Sequence, residues 1–111
     1  MFLQDIKQAS QKIVRYTEGR ERDEVFADEM RFDALLHNLH VIGEAVKRVP
    51  EAFRQRHADT PWREIAGMRD FVAHAYFALD LEILWDAIQN DVPALAVRVA
   101  DIARRESGGD E

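Results

Sequence analysis

The chain contains no cysteine, and only three of its 111 residues are proline and five are glycine. The absence of thiols excludes disulfide frameworks, cysteine nucleophiles and cysteine zinc sites, and it fits a reducing compartment. No apolar run approaches the ~20 residues that a membrane-spanning helix requires, and the N-terminus already turns acidic at Asp5. We therefore predict a cytoplasmic protein without a membrane segment.

The remaining composition is that of one folded domain, with 47% hydrophobic and 32% charged residues. A chain of this length can bury a core without covalent cross-links. We predict a single domain over residues 1–106 and a disordered polar tail over residues 107–111.

The formal net charge of −6 argues against broad electrostatic capture of nucleic acid. The charge is unevenly distributed, because residues 47–69 contain six basic and three acidic side chains while both flanking stretches are net acidic. This middle segment could hold a local phosphate site, although such charges more often only solvate a helix face. Its basic residues are Lys47, Arg48, Arg54, Arg56, Arg63 and Arg69.

Apolar residues recur at steps of three and four along nearly the whole chain, and no alternating run of β-branched residues predicts a strand. The fold class is therefore all-α. The spacing predicts a first helix from Phe2 to about Gly19, a charged turn, and a long second helix from Phe32 to Val49. Gly43 lies inside the second helix, where it favours close packing of a neighbouring helix.

Prolines mark the later helix boundaries. Short helices are expected after Pro50 and after Pro61, the second with Thr60 as its N-cap. A further helix is predicted over residues 65–78. Pro93 interrupts the last apolar pattern, so the final helix is either kinked or restarted there.

Four chemically active side chains fall within two helical turns: Arg69, Asp70, His74 and Tyr76. At about 100° per residue, the first three share a polar face opposite an apolar one. Asp70 stands four residues before His74 and can fix the tautomer of its imidazole. A proton-transferring histidine beside a charge-stabilising arginine suits metal-independent RNA cleavage by the 2′-hydroxyl. From residue types alone, an ordinary surface ion pair worth ~0.5 kcal/mol is the alternative.

The run from Arg69 to Tyr76 resembles the Arg-x4-His-x-Tyr motif of the HEPN superfamily, specifically its HepT-like toxins, the partners of minimal nucleotidyltransferase antitoxins. The resemblance covers about residues 2–104. It includes Leu39–Ala45, which is similar to the family's IGEA helix, residues 61–69, which lead to the motif, and residues 80–85, which follow it.

This resemblance implies an up-and-down helical bundle of about four main helices plus short connecting helices. It further implies a homodimeric endoribonuclease toxin in which Arg69 and His74 carry RNA cleavage and Asp70 fills the polar position after the arginine. Neither metal nor cofactor is expected. In related toxins the antitoxin adenylylates the motif tyrosine, which makes Tyr76 the matching AMP acceptor here. A catalytically silent dimeric module that binds or activates a nucleotidyltransferase is the alternative function.

Dimerisation also has a physical reason. One histidine cannot easily act as base and acid in the same step, whereas two motifs facing each other across a twofold axis supply two imidazoles and two guanidinium groups. The shared cleft would also bring the two guanidinium groups together, so it would be locally positive although the chain as a whole is acidic.

His37, His40 and Glu44 are spaced so that they could line one helix stripe as metal ligands. No second helix obviously supplies a further ligand, and the motif chemistry requires no metal. Glu44 is better interpreted as a charge partner for an arginine near the motif.

Three aromatic or heteroaromatic residues outside the motif have simpler interpretations. His57 lies in a charged loop and is expected to be solvated. Trp62 and Trp85 occupy helical apolar positions, so packing is a better interpretation than base stacking.

Overall fold

The computed structural model describes residues 2–67 and 81–108, and within these two ranges the regular structure is entirely helical. The all-α prediction is confirmed. The helices are α1 (Phe2–Thr17), α2 (Arg22–Ala27), α3 (Glu29–Lys47), α4 (Glu51–Arg56), α5 (Trp62–Ala66), α6 (Leu81–Asp86) and α7 (Val92–Gly108), with a π-helical turn (Ala87–Asp91) joining the last two. The helix predicted over residues 65–78 lies outside the described residues from position 68 onward.

Helix α1 follows the predicted apolar spacing, and Ile6 and Ile13 on its inner face are fully buried. The helix ends just before Gly19, whose φ of 70° is a left-handed conformation that reverses the chain at little cost only for glycine. The guanidinium of Arg31 donates to the carbonyl of Tyr16 at 2.8 Å. That bond satisfies one of the orphan carbonyls at the end of α1 and ties this end to the beginning of α3.

The sequence predicted a charged turn between the first two long helices. The C-terminal part of that turn forms helix α2 instead, so the prediction is wrong there. Glu21 and Glu24 form a reciprocal capping box at the start of α2. The single apolar anchor Val25 is fully buried. With only six residues, α2 is too short to show a periodic stripe, so capping is the signal that could have revealed it.

Helix α3 is the long central helix. The side chain of Asp28 caps it by accepting from the backbone N–H of Arg31 at 3.1 Å. Its buried face includes Gly43, as the prediction of close packing requires. The fully or nearly fully buried apolar side chains of α3 are Leu35, Leu36, Leu39, Ile42 and Val46.

Helix α1 runs antiparallel to both α3 and α7. The beginning of α3 lies beside the end of α1, and α1 packs extensively on both α3 and α7. At the opposite end, the rings of Phe2 and Phe53 meet edge to face at 5.4 Å, which brings the start of α1 beside α4. Glu106 of α7 reaches the same end, where it contacts His57. Within the described ranges no helix is both long enough and apolar enough to cross a membrane.

Short helices follow both prolines, as predicted, but the N-cap of α5 differs from the expectation. Pro61 is the N-cap, and it provides no side-chain hydrogen bond. The hydroxyl of Thr60, predicted as the cap, is buried without a partner. The backbone N–H of Trp62 instead donates to the carbonyl of Thr60 at 2.8 Å, which closes a tight turn before the helix.

The helical segment continues without a break past Pro93, so the final helix is not restarted there. The residues just before it form the π-helical turn, and both Asp86 and Val92, which flank that turn, keep helical φ and ψ values. Proline lacks an amide N–H, so the regular hydrogen-bond ladder must adjust in the preceding turn. Beyond the turn, Leu95, Val99 and Ile102 are buried, as their spacing predicts. Helix α7 ends at Gly108, inside the stretch assigned to the tail; the extent of that tail stays a prediction.

Candidate active site

The four motif residues Arg69, Asp70, His74 and Tyr76 lie outside the described residues. The roles of these four residues therefore stay predictions. The structure does describe the two elements that border the motif in sequence: α5 with Gly67 before it, and α6 after it. These two helices flank the motif in the sequence, and their contacts with the bundle are described below.

The element before the motif is firmly anchored. Trp62 and Ile65 are 7% and 3% exposed, and both belong to the main hydrophobic core. The indole N–H of Trp62 donates to the carbonyl of His57 at 3.1 Å, and its ring meets that of Phe53 at 6.2 Å. The predicted packing role of Trp62 is thus confirmed, and α5 cannot move without disrupting the core.

The element after the motif is anchored at the opposite end of the bundle. Leu84 is buried, and the half-buried ring of Trp85 meets Phe26 of α2 edge to face at 5.6 Å. Arg22 and Glu82 add an exposed ion pair at 3.5 Å, a type of contact that contributes little. The packing role predicted for Trp85 is also confirmed.

A cluster of polar side chains joins α4 to the C-terminal end of α7. The Nε2 atom of His57 lies 2.7 Å from a carboxylate oxygen of Glu106, and Arg56 donates to the other oxygen at 3.1 Å. The guanidinium of Arg56 also stacks over the ring of Phe53 at 5.1 Å. His57 is only 6% exposed, so the prediction of a solvated histidine is wrong. Its partner lies 49 residues away in sequence, where no local pattern could indicate it.

This cluster changes the acidity of one of its members. The hydrogen bonds from His57 and then from Arg56 favour the ionised carboxylate and hold the pKa of Glu106 below its ordinary value. A similar effect acts nearby, where Arg98 of α7 donates to Asp59 at 2.9 Å and lowers the pKa of that carboxyl. Two contacts thus bind the α4–α5 connection to α7.

An open groove of about 590 Å³ runs between α5 and the first half of α7. Its apolar walls include Ile65 and Leu95, and its rim carries the carboxylates of Glu64 and Asp91. Gly67, the last described residue before the motif, also lines it. We call this feature the α5–α7 groove; through Gly67 it comes within two residues of Arg69 in sequence.

The basic segment is partly neutralised. Lys47 pairs with Glu44 at 3.5 Å, and Arg54 donates to the carbonyl of Val46 at 2.7 Å, where it satisfies the end of α3. Arg63 is exposed and forms no ion pair with any residue in the described ranges. The local phosphate site suggested for residues 47–69 stays a prediction.

The candidate metal stripe on α3 is present as a helix face. His37 and His40 are both exposed, while Glu44 is half-buried. Among residues 2–67 and 81–108, no group of three histidine or carboxylate side chains is arranged to hold a metal ion. The proposed contact between Glu44 and an arginine near the motif stays a prediction.

Comparison with known proteins identifies the family. The family described as "Ribonuclease HepT-like" matches residues 6–102, a range that includes the whole motif. The chain therefore belongs to the HepT-like ribonuclease family. No solved structure matches it significantly.

Three curated relatives match this chain over most of their own length. The "Putative RNase TTE0752" of Caldanaerobacter subterraneus subsp. tengcongensis is 35% identical over 95% of this chain and 94% of its own. The "Probable ribonuclease HepT" of Thermococcus cleftensis is 37% identical over 85% of this chain and 86% of its own. The "Putative RNase MJ0127" of Methanocaldococcus jannaschii is 36% identical over 99% of this chain and 91% of its own. All three names describe ribonucleases, which supports that activity for this chain.

Proposed function

We propose that this chain is a metal-independent endoribonuclease toxin that acts as a homodimer in the cytoplasm, with Arg69 and His74 in the catalytic roles and Asp70 orienting the imidazole. The observation that carries this proposal is the family match over residues 6–102, because the matched range contains the complete Arg-x4-His-x-Tyr sequence. The anchored elements α5 and α6 support it, since a catalytic segment needs rigid attachment at both ends.

The proposed reaction is a transesterification. The 2′-hydroxyl of the RNA attacks the adjacent phosphorus and loses its proton to the imidazole of His74 in one copy. The bond to the 5′-oxygen breaks, and the imidazolium of the second copy protonates that leaving oxygen. The products are a 2′,3′-cyclic phosphate and a 5′-hydroxyl. The guanidinium of Arg69 stabilises the negative charge that accumulates on the phosphoryl oxygens in the transition state.

A nucleotidyltransferase antitoxin is the proposed regulatory partner. It would transfer AMP from a nucleoside triphosphate to the hydroxyl of Tyr76 and release pyrophosphate. The phosphate of the attached AMP could then pair with the guanidinium of Arg69, the group that RNA requires. An AMP-modified complex without a contact between this phosphate and Arg69 would contradict this account of inhibition.

The cleavage experiment uses purified full-length protein, a mixed RNA substrate and excess chelator. We expect cleavage to persist in the chelator and to fall at least about 100-fold in both Arg69→Ala and His74→Ala. Arg15→Ala and His37→Ala are matched controls, because these side chains are exposed and lie outside the motif. If the wild type fails to cleave, the ribonuclease proposal is wrong and the silent dimeric module becomes the better account. If the motif variants cleave like the controls, Arg69 and His74 are not the catalytic residues.

The modification experiment uses the same protein with the candidate antitoxin and ATP. We expect intact-mass analysis to show the addition of AMP to the wild type but not to Tyr76→Phe. Tyr16→Phe is the matched control and should still be modified. Modification of Tyr76→Phe at an unchanged level would exclude Tyr76 as the main acceptor.

A further inference from the structure

The α5–α7 groove has a chemistry that differs from that of a phosphate site. Its walls are aliphatic, and Ile65 and Leu95 are 3% and 5% exposed, so they form a firm apolar surface. The two rim carboxylates, Glu64 and Asp91, are exposed, and neither forms an ion pair within the described ranges. These unneutralised charges repel an RNA backbone but offer strong acceptors to a neutral group with N–H donors.

The same groove also offers hydrogen-bond donors. Arg98 lines it and uses one terminal nitrogen, Nη1, to bind Asp59 at 2.9 Å. A guanidinium carries five N–H donors, so several of them remain for a ligand. The side chain of Arg98 is 38% exposed, which leaves it accessible from the groove. An occupant should therefore be flat and largely apolar, with donors on one edge and acceptors on another.

A nucleobase has these properties, and guanine fits them best. Its N1–H and 2-amino group are adjacent donors that the two oxygens of one carboxylate can accept together. Its O6 and N7 are acceptors that arginine binds in a characteristic way. Adenine and cytosine each have a ring nitrogen acceptor beside their amino group, and uracil has its single N–H between two carbonyls. Each of these three bases would therefore direct an oxygen or nitrogen lone pair at the carboxylate. Unpaired bases in RNA are commonly read through this edge.

We propose that the α5–α7 groove is a base-recognition subsite that binds one unpaired guanine of the RNA substrate, with Glu64 as the principal acceptor and Arg98 as the donor. This subsite rests on the proposed ribonuclease function, because the groove is linked to the motif through the sequence: Gly67, which lines the groove, precedes Arg69 by two residues. Glu64 is favoured over Asp91 as the acceptor because it lies on α5, the element that leads directly into the motif.

The binding experiment uses 2′-O-methyl oligouridines that carry one central guanine, inosine, adenine, cytosine or uracil. These oligonucleotides lack the attacking hydroxyl, so binding is measured without cleavage, by fluorescence anisotropy on the full-length protein. We expect guanine to bind about tenfold more tightly than uracil, in line with one bidentate contact to a base. Inosine, which lacks the 2-amino group, should fall between the two.

Glu64→Gln should abolish the preference for guanine, because an amide offers one acceptor and one donor in place of two acceptors. Glu51→Gln is the matched control, since Glu51 is an exposed glutamate in the first turn of the neighbouring helix α4 and does not line the groove. Arg98→Gln should weaken guanine and inosine binding alike, because both bases keep O6 and N7. Thermal melting monitored by circular dichroism shows that each variant is folded.

The corresponding cleavable RNAs separate the two proposals. If the wild type cleaves all of them at equal rates and Glu64→Gln changes nothing, the subsite is wrong while the ribonuclease proposal stands. If guanine binding depends on Glu64 but no RNA is cleaved, the groove binds guanine as proposed, but its role as a substrate subsite fails together with the ribonuclease proposal. A preference for another base that survives in Glu64→Gln would also overturn the assignment to this groove.

Discussion

Two glycines that both follow helices illustrate how backbone conformation decides the effect of a substitution. Gly19 has a φ of 70°, whereas Gly67 has a φ of −67° that any residue adopts. We expect Gly19→Ala to destabilise the protein by about 1–2 kcal/mol, because an L-residue is strained in the left-handed region. Gly67→Ala should be neutral or stabilising by up to about 1 kcal/mol, because alanine reduces the freedom of the unfolded chain.

Urea unfolding of the two variants measures both effects. A Cβ atom at position 67 would meet the carbonyl oxygen of Glu64 at 3.4 Å, an ordinary contact, and one at position 19 would meet nothing within 4 Å. Steric crowding therefore cannot explain a loss at Gly19. Equal effects of the two substitutions would contradict the conformational argument.

The carboxylate of Glu106 makes the stability of the α4–α7 contact dependent on pH. Its pKa is lowered in the folded protein, so its contribution is fully present above its ordinary pKa of 4.5 and is lost as the pH falls through the lower, folded value. We expect Glu106→Gln to be less stable than the wild type near neutral pH, and we expect the difference to shrink as the pH falls below 4.5.

Thermal unfolding across this pH range tests the expectation. Glu18→Gln is the control, because Glu18 is exposed and forms no ion pair within the described part of the chain. A difference between wild type and Glu106→Gln that stayed constant with pH would show that the carboxylate does not stabilise the fold through its charge.

The residue scale is also where sequence reasoning is weakest. His57 and Thr60 were assigned from their immediate neighbours, one to solvent and the other to a helix cap. Both side chains are buried in the folded protein, at 6% and 3% exposure. The partner of His57 is Glu106 of α7, 49 residues later, so the composition around His57 carries no information about its surroundings.

At the scale of elements, Phe53 is the centre of the cluster that holds α4 in place. Its ring contacts Phe2 of α1, His57 and Trp62, and supports the guanidinium of Arg56. We expect Phe53→Ala to cost about 3–5 kcal/mol, the usual effect of removing a buried aromatic side chain. Phe53→Leu fills more of the space and should cost clearly less.

Chemical denaturation followed by tryptophan fluorescence measures these losses. Trp62 lies in the Phe53 cluster and Trp85 at the opposite end, so Trp62→Phe and Trp85→Phe backgrounds report each end separately. A loss below about 1 kcal/mol in Phe53→Ala would show that α4 is not held by this cluster.

Long helices were predictable because they repeat one pattern many times. The apolar spacing of α1 and α3 extends over four turns or more, so single exceptions such as Gly43 do not obscure it. The six-residue helix α2 offers one buried anchor and no period. For Pro93 the sequence left two outcomes open, a kink or a restart, and the structure excludes the restart. A missing N–H shows where the hydrogen-bond ladder is interrupted but not how the preceding turn adjusts.

For the whole molecule, the sequence predicts which helices form, and the structure shows how they are arranged. Periodicity predicts the helices, but it does not specify that α1 lies between α3 and α7 or that α5 borders a groove with α7. The motif residues were selected by their chemistry and their family resemblance, and the family match confirms the resemblance. The pairing of two copies is a proposal that follows from the proposed mechanism, in which one cleavage step uses two imidazoles.

That requirement predicts how activity depends on the composition of mixed dimers. We expect wild type that has exchanged subunits with an equal amount of His74→Ala to retain about a quarter of its activity, because only dimers with two intact imidazoles cleave. Exchange with an equal amount of His37→Ala should leave activity unchanged, since that exposed histidine of α3 lies outside the motif. Cleavage rates are measured at constant total protein after denaturant-assisted subunit exchange. About half of the activity in the His74→Ala mixture would mean that each subunit cleaves alone, and the shared two-histidine mechanism would then be wrong.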